Sequence, residues 1–427
     1  MQRLRSILKW GCIGSIGVIA VLLLVIAVLN WRASARREAE WAKIRAAGDP
    51  VTLADLEPEP IDPALNGATY LRRAAVGIAN IHHEIGELAN DSEAFYTDGR
   101  LTAEGARRVR AALQAYPDVS ALLAQAADCP SYAAQLDYAS EPQVLLSSIL
   151  DGETHLVRGA GRVLRKKLDL QLYDGQDDEA VQTGLQIMRI GRHSAEEPLL
   201  IQYLVSVAVR STGLDGIERV LSDGPVSPAS RLAIEAELAA QDGMEGFVGC
   251  LKSEVAFGGY QLRTMFDGMP LVEHLWMYKN WESDYLQFLA AELSLGAAPH
   301  YKIEQDLKML RARAAQGSGF VRLIDPAVKA AREAMDRVRA VMRAVRVLNA
   351  LQGQGVTPEV ISLDPALLGL PAEAVVDPFS GAPLLTKSTA DGVRIYSVGS
   401  NLTDDGASPH AALDPGVGPA PLQWSSQ

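Results

Sequence analysis

An unbroken run of uncharged, mostly apolar residues occupies positions 11–29 (GCIGSIGVIAVLLLVIAVL). As an α-helix rising ~1.5 Å per residue it spans roughly 28 Å, close to the ~30 Å hydrocarbon core of a bilayer. Trp10 and Trp31 flank the run, and indole rings favour the boundary between membrane and water. The run therefore predicts a transmembrane helix over residues 11–31, with the lipid bilayer as the first expected partner.

Charge is distributed unevenly around this run. Residues 1–45 carry a net charge of +6, which suits anionic lipid headgroups, and the remainder carries −18, which argues against nucleic acid as a partner. The basic leader at residues 1–10 is typical of an uncleaved signal anchor, so we expect a single-pass cell-membrane protein with an extracytoplasmic body. Two alternatives stay open: cleavage near Ala33-Ser34-Ala35, and a cytoplasmic body, because more Lys and Arg residues follow the run than precede it.

The chain after the apolar run has the pattern of a folded helical domain. Residues 32–63 predict a juxtamembrane helix, ended by Gly48-Asp49-Pro50, and a proline-rich linker. Residues 64–351 repeat apolar side chains at helical spacing, with helix starts expected at Thr102 and Ser227. The predicted fold class is mainly α, with packed helical hairpins and a small C-terminal β-hairpin.

The last long helix is predicted over residues 326–351. Its apolar side chains recur at spacings of three and four and form a seam for packing on another helix: Val328, Ala331, Met335, Val338, Met342 and Val345. Five arginines fall mainly off that seam: Arg332, Arg337, Arg339, Arg343 and Arg346. We expect them to form a solvated face, with a docking site for an acidic partner as the alternative.

The C-terminal part of the chain changes character. Residues 352–406 are predicted to form a Gly- and Pro-rich linker followed by a β-hairpin, with strands at 384–388 and 393–399 and a turn at 390–392. Residues 407–427 are rich in Gly, Pro and Ser, and we expect them to be disordered.

A sequence signature lies within this C-terminal part: residues 377–384 (DPFSGAPL), 395–399 (IYSVG) and 401–406 (NLTDDG). This DPF-x-G-x-PL…YS-x-G…DDG segment resembles the end of single-pass, mostly helical bacterial membrane proteins with no assigned activity. Residues 178–221 resemble their helical middle. The tail also resembles the C-terminus of type II secretion major pseudopilins, a resemblance that implies calcium in the acidic loop. No prepilin junction accompanies the apolar run, which argues against a pilus subunit.

The acidic loop also has a chemical reason to be a candidate calcium site. Asn401, Asp404 and Asp405 place hard oxygen donors in one short segment, and Ca²⁺ takes six to eight such ligands. Three side chains alone are too few, so backbone carbonyls would have to contribute. The alternative is an Asx-rich turn, in which these side chains bind their own backbone.

The cysteines and histidines offer little further chemistry. Cys129 and Cys250 can pair in an oxidising compartment, or they are small buried side chains. The adjacent His82 and His83 point about 100° apart on a helix, which predicts a surface pair rather than a metal site. His193, like His155, is expected to make ordinary polar contacts.

The motifs favour a binding role over catalysis. No phosphate-binding loop, nucleophile elbow or Cys/His zinc spacing occurs in the sequence, so we predict no catalytic residue and no cofactor other than calcium. The expected function is an envelope scaffold or protein-binding module. The alternative is a membrane-tethered hydrolase with a site assembled from distant residues, because such sites leave no local motif.

Overall fold

Helices account for most of the chain, and a small sheet lies near its C-terminus, so the predicted fold class is confirmed at this level. The computed structural model describes residues 2–86, 95–134, 136–196, 199–270, 277–354, 363–389, 392–408 and 413–420. The side chains of residues 2–20, Leu22, Pro142 and Ala420 lie outside that description.

The helices and strands follow one another along the chain in a simple order. The helices are α1 (Gln2–Ala47), α2 (Gly67–Ile85), α3 (Ala103–Ala115), α4 (Pro117–Asp128), α5 (Pro142–Ser147), α6 (Thr154–Tyr173), α7 (Asp177–Ser194), α8 (Leu200–Asp223), α9 (Pro228–Gln241), α10 (Glu245–Phe266), α11 (Lys279–Leu295), α12 (His300–Ala314), α13 (Gly319–Gln354) and α14 (Pro365–Leu368). The strands are β1 (Tyr96–Thr97), β2 (Arg100–Leu101), β3 (Leu385–Thr389), β4 (Gly392–Tyr396) and β5 (Gly416–Ala420).

Helix α1 is continuous and, at ~1.5 Å per residue, about 69 Å long. It contains the predicted transmembrane run, but the side chains of residues 11–20 lie outside the described ones. Across the part of the chain that is described, no helix combines the length and the apolar character that crossing a bilayer requires. The transmembrane assignment therefore stays a prediction.

The second half of α1 packs against the folded body. The indole Nε1 of Trp41 donates a 3.2 Å hydrogen bond to Glu282 Oε1 on α11, and both side chains are buried. The Lys279 ammonium donates to Asn30 Oδ1 and to Ser34 Oγ, each at 2.8 Å. The helix predicted over residues 32–47 is thus present as the second half of α1, and it packs on the body.

Local sequence signals place the helices of the N-terminal half. Thr102 Oγ1 accepts the Gly105 N–H at 3.0 Å and caps α3, as predicted, and Pro117 begins α4. Helices α2, α3, α4 and α6 bury one shared apolar cluster. The helix predicted over 144–172 is interrupted, since a π-helical turn (Ser148–Glu153) separates α5 from α6.

Helices α7 and α8 approach each other closely because glycine lies between them. A Cβ added to Gly213 would lie 3.0 Å from the carbonyl oxygen of Gly184. Gly213 and Gly184 are both buried, so a larger side chain at Gly213 would force the helices apart. The predicted succession of packed helices over residues 143–221 is confirmed.

Helix α13 is the centre of the main apolar core. It begins at Gly319, earlier than predicted, and contains Pro326, whose missing N–H removes one backbone hydrogen bond. All six residues of the predicted seam are buried, so the seam is confirmed.

The C-terminal sheet has three antiparallel strands in the order β3-β4-β5. The predicted hairpin is confirmed, with Leu385 opposite Tyr396. The expectation of disorder over residues 407–427 is wrong for β5, which pairs with β4. The reason is long-range: the Gly418 N–H donates to Glu218 Oε1 at 2.6 Å, and Arg394 donates to the Gly418 carbonyl at 3.1 Å.

The C-terminal sheet packs on the helical core, because Val393, Ile395 and Val417 belong to the same apolar cluster as α13. The two cysteines for which the sequence allows a disulfide are both free thiols. Cys129 and Cys250 are buried, which matches the alternative of small buried side chains.

Candidate functional site

The arginines of α13 are the largest departure from the sequence prediction. Arg332, Arg339, Arg343 and Arg346 are buried, and Arg337 is half-buried, so the predicted solvated face is wrong. Helix α13 is surrounded on its arginine side by other helices that supply carboxylates. A charged side chain can be buried only where such partners neutralise it, and these partners lie far away in the sequence.

Asp242, just after α9, is the central partner of these arginines. Its Oδ1 accepts from Arg339 Nε at 2.9 Å and its Oδ2 accepts from Arg343 Nε at 2.7 Å. Arg346 forms a fork-shaped pair with Glu235 of α9, with Nε–Oε2 and NH2–Oε1 distances of 3.0 and 2.6 Å. These contacts tie α9 to α13 and are structural.

A cavity of about 410 Å³ lies between α12, the N-terminal half of α13 and residues 400–402. Four cationic side chains and two glutamates line it, so its wall has a formal charge of about +2 with histidine neutral. The charged lining residues are Lys308, Arg311, Lys329, Arg332, Glu304 and Glu333. Small-molecule sites in proteins typically enclose ~300–1,000 Å³, so this cavity is a candidate site.

Arg332 is the most unusual residue of this cavity. It is 1% exposed, and its guanidinium carbon lies 4.8 Å from the Phe247 ring centroid. None of its three guanidinium nitrogens has a hydrogen-bond acceptor among the described residues. The nearest carboxylate oxygen, Glu292 Oε2, is 3.8 Å from Nε, beyond hydrogen-bond distance. Burial lowers the pKa of Arg332 despite that carboxylate.

Glu292 is shared with a second arginine. Arg311 NH2 lies 2.5 Å from Glu292 Oε1, and Arg311 NH1 donates to Asp325 at 2.5 Å. Glu292 is fully buried, and burial raises its pKa against the opposing charges of Arg311 and Arg332. Glu292 therefore forms its close ion pair with Arg311 rather than with Arg332.

A buried histidine borders the same cavity. His300 Nδ1 is 3.6 Å from Asp336 Oδ2, and its ring centroid is 5.3 Å from that of Phe379. Neither Nδ1 nor Oδ2 has a hydrogen-bond partner within the described residues. Ser400, another lining residue, brings a hydroxyl to the cavity.

The predicted calcium ligands make hydrogen bonds within their own loop. Asn401 Nδ2 donates to Asp405 Oδ2 at 2.8 Å, and Asp404 Oδ1 accepts from the Gly406 N–H at 2.9 Å. Burial, with the Asp404 charge, raises the pKa of Tyr396 to about 12. The described residues contain no cluster of three or more His, Cys, Asp or Glu placed to hold a metal ion. The calcium site stays a prediction, and the Asx-turn alternative accounts for these contacts.

The DPF…YS signature has a structural explanation. Asp377, 1% exposed, accepts hydrogen bonds from the Phe379 N–H and the Ser397 hydroxyl at Oδ1, at 2.8 and 2.7 Å. Its Oδ2 accepts from the Ser380 hydroxyl and the Val398 N–H, at 2.9 and 3.1 Å. One carboxylate thus joins the two halves of the signature.

The histidines singled out from the sequence do not line the cavity between α12 and α13. His82 and His83 are exposed. His193 is buried, and its Nδ1 lies 3.2 Å from Glu196 Oε1 while its ring stacks on Tyr132 at 5.7 Å. The histidine that borders the cavity, His300, was not singled out from the sequence, because nothing local to it indicates a partner such as Asp336.

Only Asn401 of the predicted site residues lines the cavity. The sequence predicts Arg332 on a solvated face. Its position directly after the seam residue Ala331 is a signal for burial, but an ambiguous one. Comparison of the chain with family models, curated proteins and solved structures finds no match.

Proposed function

We propose that the chain is a single-pass membrane protein whose helical body works on the extracytoplasmic side as an envelope scaffold or protein-binding module. The observation that carries the proposal is a change along α1 at Asn30. On the C-terminal side of this residue, the helix packs on the body through a stripe that includes Ala33 and Trp41. On its N-terminal side, the described side chains are apolar and exposed.

The exposed part of α1 has the properties expected of a membrane segment. Val21, Leu23 and Leu24 are each at least 60% exposed, and Trp31 is 70% exposed. Consecutive helical residues point to different sides, so the exposed apolar surface surrounds the helix. A contiguous apolar surface of this kind is unfavourable in water and favourable in lipid.

The charges support the same arrangement. Arg32 and Arg36 are exposed on α1 just beyond the apolar run, where the headgroups of a bilayer would lie. The acidic body would be held near the surface by the contacts of Trp41 and Lys279 with α1. A packed helical body on a fixed helix suits a role in holding other envelope proteins.

Alkaline carbonate extraction of the full-length protein tests the anchor. We expect the chain to stay in the membrane pellet. Leu23→Lys together with Leu24→Lys should release it, because a cation at the bilayer centre costs roughly 2.5–3.5 kcal/mol. Leu232→Lys, at a 72% exposed position of the body, is the control and should stay in the pellet. Release of the unmodified protein would refute the anchor.

Protease added to spheroplasts tests the side of the membrane. An extracytoplasmic body is cleaved without lysis, whereas a body protected until lysis would lie in the cytoplasm.

A membrane-tethered hydrolase is the second candidate, and one observation favours it. His300, next to Asp336, borders the cavity that Ser400 also lines, and these three residue types can form a nucleophilic triad. Hydrolysis of a nitrophenyl ester by the purified full-length protein, lost in Ser400→Ala and His300→Ala, would support this function over a scaffold. An unchanged rate in both variants would reject it.

A further inference from the structure

We propose that the cavity between α12, α13 and residues 400–402 binds a small molecule through its carboxylate or phosphate group, with Arg332 as the main binding residue. This binding site lies in the body alone, so it does not depend on whether residues 11–31 cross a bilayer.

Arg332 is buried, but its guanidinium makes no hydrogen bond with the described residues. A guanidinium carries five N–H donors in a planar fork, and it stays charged at physiological pH even when its pKa is lowered. Arg332 is buried in the cavity wall, yet its three nitrogens have no acceptor among the described residues. Buried charged donors are normally hydrogen-bonded, so a group that enters the cavity is the missing acceptor.

The carboxylate nearest to Arg332 does not accept a hydrogen bond from it. Glu292 Oε2 is 3.8 Å from Arg332 Nε, too far for a hydrogen bond, and Glu292 Oε1 pairs with Arg311 at 2.5 Å. The Phe247 ring lies over one face of the guanidinium, with its centroid 4.8 Å from the guanidinium carbon of Arg332. This cation–π contact provides no acceptor for the N–H groups at the edge of the guanidinium. The fork of donors is therefore free to take two oxygens of one anion.

The charge and the size of the cavity also suit a small anion. Lys308 and Lys329 line the cavity and are paired with Glu304 and Glu333 on their own helices. Their side chains are 75% and 55% exposed, and such exposed pairs are weak, so either ammonium can turn to an incoming anion. The volume of about 410 Å³ accepts a small metabolite or a lipid headgroup.

Isothermal titration of the full-length protein in detergent micelles tests the proposal, with inorganic phosphate and acetate as probes at constant ionic strength. We expect saturable binding of at least one probe. Arg332→Met should weaken it by at least about tenfold, because a buried bidentate contact is lost. Arg322→Met removes an exposed arginine from the same helix and should leave binding unchanged.

Two further variants keep the test valid if Arg332→Met fails to fold. Arg332→Lys keeps the charge but not the fork, and should weaken binding by several fold. Lys329→Met, at the exposed rim, should weaken it by a smaller factor.

Nanodiscs containing phosphatidylglycerol or only phosphatidylcholine separate the two sources of the anion. An Arg332-dependent rise in melting temperature with phosphatidylglycerol alone identifies a lipid headgroup, whereas binding of free phosphate or acetate identifies a soluble ligand. No response to any probe, or a response that Arg332→Met retains, would overturn the proposal.

Discussion

Asp242 Oδ2 lies 2.7 Å from Arg343 Nε, although the two residues are 101 positions apart. The same carboxylate accepts from Arg339 at 2.9 Å, so one acidic residue neutralises two buried guanidinium groups of α13. Both arginines are less than a tenth exposed. Asp242 is thus one of several polar links between the end of α9 and α13, beside the Arg346–Glu235 pair.

Asp242→Asn should destabilise the protein severely. The amide keeps the shape of the side chain but leaves buried Arg343 without its carboxylate and Arg339 with Asp336 alone. Removing one partner of a buried ion pair costs about 3–5 kcal/mol. Urea unfolding followed by circular dichroism measures the loss in the free energy of unfolding. Asp306→Asn, at an exposed position of α12, is the control and should change it by less than about 0.5 kcal/mol. Equal stabilities of the two variants would contradict the role of Asp242.

Stability should fall as the pH rises from about 5 to about 7. Glu254 accepts the Leu200 N–H at 3.1 Å where α8 begins, and burial raises its pKa to about 7 from an ordinary value of 4.5. Between these values the folded state binds more protons than the unfolded state, so raising the pH lowers the free energy of unfolding, by up to about 3 kcal/mol.

The melting temperature as a function of pH measures this effect. Glu254→Gln cannot ionise and should reduce the decline. The part that remains comes from Glu218, whose pKa burial also raises to about 7. Glu245→Gln, exposed on the same helix, should follow the unmodified protein. A curve unaffected by Glu254→Gln would show that other groups cause the dependence.

Two tryptophans of α1 should contribute differently to the free energy of unfolding. Trp41 is 8% exposed and packs near Gly259, so Trp41→Ala leaves a void and should cost about 3–5 kcal/mol of unfolding free energy. Trp31 is 70% exposed, and Trp31→Ala should leave the stability of the body unchanged. Thermal unfolding of both variants in the same detergent gives the comparison. Similar losses would mean that α1 is not docked at Trp41.

Calcium binding by the acidic loop can be tested directly. An ion held by Asn401, Asp404 and Asp405 would raise the melting temperature when Ca²⁺ is added, and a chelator would reverse the rise. Asp404→Ala would remove the effect. A melting temperature that ignores both Ca²⁺ and chelator would leave the loop as a hydrogen-bonded Asx turn.

Local signals made much of the helical fold predictable. A cap such as Thr102 or Ser227 and a breaker such as Pro117 act within a few residues, so the sequence around them determines where a helix begins or ends. The seam of α13 was visible for the same reason, since its spacing is set by the helix itself.

Features that depend on distant partners were not predictable. Burial of Arg343 requires Asp242 from another helix, and no local pattern shows that the two meet. Strand β5 contains two glycines and a proline, which have low strand propensity, and it is ordered because Glu218 and Arg394 bind it from elsewhere. The cavity was missed for this reason too, as its residues come from three separate segments.

The unbroken course of α1 has a mechanical consequence. Helix α1 is fixed to the body near Trp41 and continues without a break to Gln2. No hinge therefore interrupts the helix between the body and its N-terminal end. Any torque that a bound neighbour exerts on the body must reach residues 11–29 as a twist or a tilt. Inserting one alanine after Ala35 would turn that N-terminal end by about 100° with respect to the body.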